Sequence, residues 1–159
     1  MILSANKISK RFIQGQNNKI VLDELSFSAN ENDFITINGP SGSGKSSLLY
    51  ILGLLEKPDS GSIEINGVCP TSGNHASQLR ADNIGFLFQN HYLMPQLTAL
   101  DNVLLATKVS AKNTITKDET REIFKHFNLT EIINKYPSQI SGGESQRVAF
   151  IRSIINKPK

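Results

Sequence analysis

The fold of this chain is decided by the stretch Gly39-Pro40-Ser41-Gly42-Ser43-Gly44-Lys45-Ser46. It matches the pattern G-x-x-x-x-G-K-[ST] at every fixed position. Glycines let the backbone turn tightly, so that successive N–H groups point at one anion. The lysine adds a mobile positive charge for the outer phosphates of a nucleotide, and the final serine offers a hydroxyl to Mg²⁺. A helix that begins near Lys45 would direct the positive end of its dipole at the same phosphates.

The segments on either side of this loop support a phosphate-binding role. Residues 33–38 are rich in β-branched side chains and predict a short buried strand. Residues 47–55 are apolar on nearly all sides, which predicts a helix buried against a sheet. The alternative is a Gly/Ser linker that carries a lysine by chance, and it leaves both apolar segments unexplained.

Other strands are predicted on both sides of the loop, at residues 2–9, 20–27, 62–66 and 84–88. The first two are separated by a turn signal at residues 15–18. The last is a compact apolar segment of the kind found in buried strands, and it ends at Gln89. Residues 70–78 are polar and rich in Gly, Ser and Thr, so they are predicted to form a loop.

Three helices are predicted in the second half of the chain, because each follows a good N-cap residue. The predicted caps and helices are Thr98 with residues 99–106, Thr116 with residues 117–127, and Ser141 with residues 142–156. Glu119 stands three residues after Thr116 and completes a capping box. Together the elements predict an α/β fold with a β-rich start, a parallel-sheet core at residues 33–55 and 84–88, and an inserted helical subdomain.

Composition limits the class of protein. The 159 residues suffice for one domain, and the formal net charge of +3 comes from scattered basic residues. Nucleic-acid binding would require a stripe of Lys and Arg, so no nucleic-acid partner is expected. The single cysteine, Cys69, excludes an internal disulfide and favours a reducing compartment. No apolar segment approaches the length of a bilayer span and no secretory signal is present, so we expect a cytoplasmic protein that reaches a membrane only through a partner.

A second anion site is predicted at Ser141-Gly142-Gly143, where a glycine pair opens a helix. Taken alone, such a sequence is more often an ordinary N-cap with a flexible entry. Here it follows the phosphate loop and the apolar segment that ends at Gln89, in a fixed order along the chain.

This ordered set resembles the nucleotide-binding domain of ABC transporters, and the resemblance covers residues 2–159. The phosphate loop looks like the Walker A motif of that family, a P-loop NTPase, and Gln89 looks like its Q-loop glutamine. The segment Ile140-Ser141-Gly142-Gly143-Glu144 looks like the signature motif, which usually reads Leu-Ser-Gly-Gly-Gln. Ile140 and Glu144 depart from that usual form.

Two further positions extend the resemblance. Phe12 stands where the family places the aromatic residue that stacks on adenine, although it could also be a core residue at a strand end. Residues 90–103 look most like ATPases of the lipoprotein-releasing and macrolide-exporter group, in which the ATPase is commonly a separate subunit bound to a membrane permease.

The resemblance implies an ATP-binding subunit of an ABC transporter, an ATPase with ATP and Mg²⁺ as cofactors. Lys45 and Gln89 would be catalytic, and Ser46 and Gln89 would bind the metal ion. The nucleotide would contact Phe12, Gly39, Pro40, Ser41, Gly42, Ser43, Gly44, Lys45, Ser46, Ser47, Ser141, Gly142 and Gly143. Two copies would associate head to tail around ATP, and a membrane permease would hold the subunit at the inner face of the cell membrane.

The resemblance also implies an incomplete domain. Residues 1–159 would form a single nucleotide-binding domain, with the β-rich and phosphate-loop core at 1–90 and a mostly helical part at 91–159. Family members continue with an apolar strand that ends in Asp and Glu, the Walker B motif, and this sequence has no counterpart. We therefore expect a truncated chain that binds ATP and hydrolyses it poorly. A non-catalytic nucleotide-binding or interaction module is the alternative, and the motif order disfavours a small kinase or GTPase.

Overall fold

The computed structural model describes residues 1–14, 17–71, 73–110 and 115–159. The chain divides into two compact units, one of residues 1–79 with Lys159 and the other of residues 80–158.

The first unit contains a three-stranded antiparallel sheet. Its strands are β1 (Leu3–Gln14), β2 (Asn17–Ala29) and β3 (Ser60–Ile65), in the order β2-β1-β3. Among the side chains that the structure describes, the buried apolar ones of the sheet are those of Ala5, Ile8, Leu22, Ile63 and Ile65. The three strands predicted near these positions are confirmed, although β1 and β2 extend further along the hairpin than the apolar pattern indicates. Asn17 and Asn18, which were predicted to lie in the turn, belong to β2, and the other two residues of the predicted turn, Gly15 and Gln16, lie outside the described residues.

Helix α1 (Lys45–Leu52) follows the phosphate loop, as predicted. Its buried side chains are Leu48, Ile51 and Leu52, which lie on one face because they are spaced three and four residues apart. Leu49 and Tyr50 are 55% and 41% exposed, so the expectation of burial on nearly all sides is wrong. The parallel sheet that would have covered the other side does not form among the described residues.

Residues 33–38 do not form the predicted strand. They have no ladder partner in the described sheet, and Phe34 is 94% exposed. A strand requires hydrogen bonds to a neighbouring segment, and β-branched composition alone cannot supply them. The phosphate loop is therefore entered from an irregular segment.

The second unit is mostly helical. The chain forms α2 (Gly73–Asn83), within which the boundary between the units falls, then α3 (Ala99–Thr107), α4 (Lys117–His126) and α5 (Gly142–Ile154). Single 3₁₀ turns lie at Thr130–Ile132 and Pro137–Gln139. The core includes fully buried side chains from α3, α4 and α5, among them Leu100, Val103, Phe124, Val148 and Ile151.

The predicted helices and their caps are confirmed. Thr98 Oγ1 accepts from the Asp101 N–H at 3.1 Å, and Thr116 forms the predicted capping box with Glu119. The cap of α5 is Ser141, as expected. These helices were predictable because each cap satisfies backbone donors within three residues of itself.

Two predictions in this part of the chain are wrong. Residues 70–78 are not all loop, because α2 begins at Gly73; strong helix formers from Ala76 to Ala81 outweigh the polar start. Residues 84–88 are not a strand. Gly85 instead lies directly against the Ser153 carbonyl near the end of α5, and the rings of Phe86 and Phe88 stack with centroids 5.6 Å apart.

Candidate nucleotide-binding site

The phosphate loop turns through left-handed backbone at Gly42 (φ 78°) and Gly44 (φ 92°). Its lysine is fixed by the loop itself, since Lys45 Nζ donates to the carbonyl oxygens of Gly39 at 2.8 Å and Pro40 at 2.7 Å. The positive charge is thus held at the first two residues of the loop, where it can reach a phosphate that lies inside the turn.

Strand β2 lies against the other side of the loop. A Cβ added to Gly44 would lie 2.6 Å from Val21 Cγ1 and 2.8 Å from the Val21 carbonyl oxygen. A Cβ added to Gly42 would lie 3.8 Å from Lys19 Nζ. Glycine at position 44 is therefore required both by the backbone conformation and by the close approach of β2. Sequence reasoning missed Lys19, because only the position of β2 beside the loop brings it here.

The N-terminus of α1 is open. Its N-cap, Gly44, forms no side-chain cap, and the first helical turn contains no acidic residue. The first N–H groups of a helix have no partner within the helix and carry the positive end of its dipole. Ser46 lies in this first turn and is exposed. This end of α1 can therefore bind an anion through backbone N–H groups and the loop lysine together.

Phe12 faces Lys19, the residue whose amine lies beside Gly42, across the β1–β2 ladder. Of the surface of Phe12, 43% is exposed to solvent. Lys10 Nζ lies 5.8 Å from the centroid of the Phe12 ring and is held there by Glu56 at 2.9 Å and Asp59 at 3.5 Å. The hydrogen bond to Glu56 is the main cause that raises the pKa of Lys10 above its ordinary value. An aromatic ring in this setting can stack on a planar base.

The start of α5 is chemically different from that of α1. The Glu144 carboxylate accepts from both the N–H and the hydroxyl of Ser141 at 2.7 Å, and Ser141 Oγ accepts from the Glu144 N–H at 3.3 Å. The backbone N–H of Ser141 is the main cause that lowers the pKa of Glu144 below its ordinary value. The sequence pattern S-x-x-E could have predicted this second capping box, which we had not expected. A carboxylate of the chain itself therefore caps this helix.

Gln89 belongs to the second unit and is exposed. The segment that follows it is attached to α5, because the Arg152 guanidinium donates to the carbonyl oxygens of His91 at 2.5 Å and Tyr92 at 2.8 Å. Burial lowers the pKa of Arg152 below its ordinary value.

The predicted site residues form two groups, according to the compact unit to which they belong. The phosphate loop and Phe12 belong to the first unit, and Gln89, Ser141, Gly142 and Gly143 belong to the second.

Metal binding at the loop would depend on few protein groups. Within the described residues, no three His, Cys, Asp or Glu side chains are grouped so that they could hold a metal ion. Mg²⁺ usually keeps several waters and is bound through one or two carboxylates together with the phosphates of the substrate. In a phosphate loop the final Ser or Thr hydroxyl is a further ligand, and Ser46 can supply it. Among the residues that the structure describes, no helix has both the length and the apolar character needed to cross a membrane.

Comparison with known proteins defines the class of this chain. The ABC transporter family profile matches residues 22–159, and the chain therefore belongs to the ABC transporter family. The resemblance inferred from the phosphate loop, Gln89 and the Ser141–Gly143 segment is confirmed at the level of the family.

The curated relatives narrow the group. The chain is 40% identical over 161 residues to the lipoprotein-releasing system ATP-binding protein LolD of Buchnera aphidicola subsp. Schizaphis graminum, covering 99% of this chain and 70% of that protein. It is 41% identical over 160 residues to LolD of Rickettsia bellii, with coverages of 99% and 71%. The chain is thus an ABC-type ATP-binding subunit similar to the LolD group.

Solved structures confirm the expected fold class. A dimeric structure of the ATP-binding cassette MJ0796 in a post-hydrolysis state, bound to ADP and Pi, matches with a TM-score of 0.89 at 33% identity. A second dimeric structure of MJ0796, described as a bacterial ABC transporter cassette, matches with a TM-score of 0.88 at 34% identity. Both matches cover 99% of this chain and 71% of the cassette.

Proposed function

We propose that this chain binds ATP at its phosphate loop and serves as the ATP-binding subunit of a membrane transporter. The observation that carries the proposal is the loop itself: the Lys45 amine is fixed at Gly39 and Pro40, beside a helix start without a side-chain cap. An anion with several negative oxygens fits this arrangement. Further support comes from MJ0796, a cassette of the same fold that is bound to ADP and Pi.

Each predicted residue has a role in this proposal. Lys45 neutralises the outer phosphates, and Ser46 binds the Mg²⁺ that accompanies them. Phe12 stacks on the adenine, and Gln89 adds a contact to the metal ion during hydrolysis. The remaining loop residues contribute backbone N–H groups, as their conformation and the uncapped helix start suggest.

The assembly that we propose has three parts. Residues 1–159 belong to one nucleotide-binding domain, a proposal supported by a family match that includes residues of both compact units. Ser141, Gly142 and Gly143 close the ATP site of a second copy, in keeping with the dimeric state of the MJ0796 cassettes. A membrane permease binds the pair at the cytoplasmic face of the membrane, in keeping with the transporter family to which the chain belongs.

We further propose that these 159 residues alone hydrolyse ATP slowly. Hydrolysis requires a carboxylate that helps to hold the metal ion and a residue that positions water. In this sequence no Asp or Glu follows an apolar strand-like segment beyond the phosphate loop. ATP binding distinguishes this proposal from a pure interaction module, and slow but measurable turnover distinguishes it from a non-catalytic nucleotide-binding module.

The test compares Lys45→Ala with Lys57→Ala, a matched removal of an exposed lysine from the same unit. Isothermal titration with ATP should show at least about tenfold weaker binding for Lys45→Ala, because charge-assisted contacts to phosphate are lost. Binding by Lys57→Ala should equal that of the unmodified chain. Equal binding by all three proteins would contradict the proposed site, and turnover at about 1 s⁻¹ or faster would contradict slow hydrolysis.

A further inference from the structure

The strand beside the phosphate loop brings a second lysine to it. Lys19 Nζ lies 3.8 Å from the position of a Cβ on Gly42, and Val21 lies against Gly44. The β1–β2 ladder is bulged at Val21, because Lys10 pairs with Leu22 and Arg11 pairs with Ile20, so the Lys19 and Val21 contacts are two separate approaches of β2 to the loop. Strand β2 therefore approaches the loop at two points, and the exposed Lys19 side chain brings its amine to Gly42.

The charge of Lys19 is not neutralised by a nearby acid. Among the described residues, no carboxylate lies within 4.0 Å of its amine, whereas the neighbouring Lys10 is ion-paired with Glu56 and Asp59. Lys45, the other lysine at the loop, is held at Gly39 and Pro40. Two lysine amines thus lie at different parts of the loop, one at its first residues and one at Gly42.

We propose that Lys19 is a further phosphate-binding residue of this site. The inference rests on the proposed ATP-binding function and adds to it a determinant of specificity. Lys19 faces Phe12 across the ladder, so one cross-strand pair supplies an aromatic surface for the base and a cation for the phosphate chain. The affinity gained from Lys19 should rise with the negative charge of the ligand, in the order adenosine, ADP, ATP.

The test uses Lys19→Met, Lys19→Arg and the matched control Lys57→Met in the full chain, with titrations of ATP, ADP and adenosine. At about 50 mM salt, Lys19→Met should bind ATP about three- to fivefold more weakly, the range expected for one exposed charge. At about 500 mM salt the difference should shrink because the charge is screened. Lys19→Arg should stay within about twofold of the unmodified chain. Lys57→Met should leave ATP binding unchanged.

Two results overturn the inference while leaving the proposed function intact. One is ATP binding by Lys19→Met that equals that of Lys57→Met, while Lys45→Ala still loses affinity. The other is an equal loss for adenosine and ATP, which would assign Lys19 to packing against Phe12. Failure of the unmodified chain to bind ATP would contradict the proposed function itself, and the inference with it.

Discussion

Two helix starts in this chain have similar glycine-rich sequences and opposite chemistry. Helix α1 begins after Gly44 with no side-chain cap and no acid in its first turn. Helix α5 begins after Ser141 with a full capping box, in which Glu144 accepts two hydrogen bonds. Both were predicted as anion sites from the same physical argument. Of these two helices, α1 is the one whose positive end has no carboxylate in its first turn.

The comparison shows that a glycine-rich helix start does not by itself predict an anion site. The charged groups beside the helix start also decide whether an anion is attracted. At α1 the adjacent groups are the amines of Lys45 and Lys19, which strengthen the attraction for an anion. At α5 the adjacent group is a carboxylate, which offsets the dipole. The glycines also differ. The fold of this chain requires glycine at position 44, because a Cβ there would overlap Val21, whereas a Cβ on Gly142 would meet nothing within 4 Å. A glycine without such a need is consistent with the proposed close approach of a second copy at α5.

The largest expected effect is that of Gly44→Ala. The substitution places a Cβ at φ 92° and within 3 Å of both the side chain and the carbonyl of Val21. We expect the free energy of unfolding to fall by about 2–4 kcal/mol, from backbone strain and steric overlap together. Urea denaturation measures this loss. A change below about 0.5 kcal/mol would show that β2 does not lie against the loop as described.

An opposite and smaller effect is expected for Gly142→Ala, the matched substitution at the other helix start. The residue is helical and has open space around it, so alanine reduces the entropy of the unfolded chain without strain. The free energy of unfolding should rise by about 0.5–1 kcal/mol. A loss of stability in the same urea experiment would mean that Gly142 is required by the chain's own fold, and would remove the contrast with Gly44.

The smallest effect is the pH dependence expected at Glu144. Because its pKa in the folded chain lies below the ordinary value, the carboxylate stabilises the fold above that value and ceases to do so as pH falls through the folded-state pKa. Glu144→Gln preserves the capping pattern without a titrating group. The stability difference between the two proteins should therefore be larger at pH 7 than below about pH 4. Glu31→Gln, at an exposed turn, serves as the control, and a difference at Glu144 that does not change with pH would contradict the capping box.

Helices and strands were not equally predictable from this sequence. The helices at Thr98, Thr116 and Ser141 satisfy their own backbone groups, so local caps and spacing were enough to predict them. The strands predicted at residues 33–38 and 84–88 require partners from elsewhere in the chain, and none of the described segments provides them. Apolar β-branched composition was the only local signal, and it does not distinguish a strand from an irregular apolar segment.

The candidate site shows the same limit. The loop from Gly39 to Ser46 and the helix after it were predicted because spacing within one segment defines them. Lys19 was missed because it depends on the path of β2 beside Gly42, which no local pattern encodes. The capping box at Glu144 was missed although its signal was present in the sequence.

The most direct test of the central claim, that the open start of α1 is where a single chain binds ATP, is a nuclear magnetic resonance titration. ATP is added to the ¹⁵N-labelled chain at a concentration where the chain is monomeric, and backbone amide shifts are followed. We predict large, saturable shifts for the amides of residues 42–47 and no shifts for those of residues 142–144. Shifts at residues 142–144 with an unaffected loop would contradict the claim.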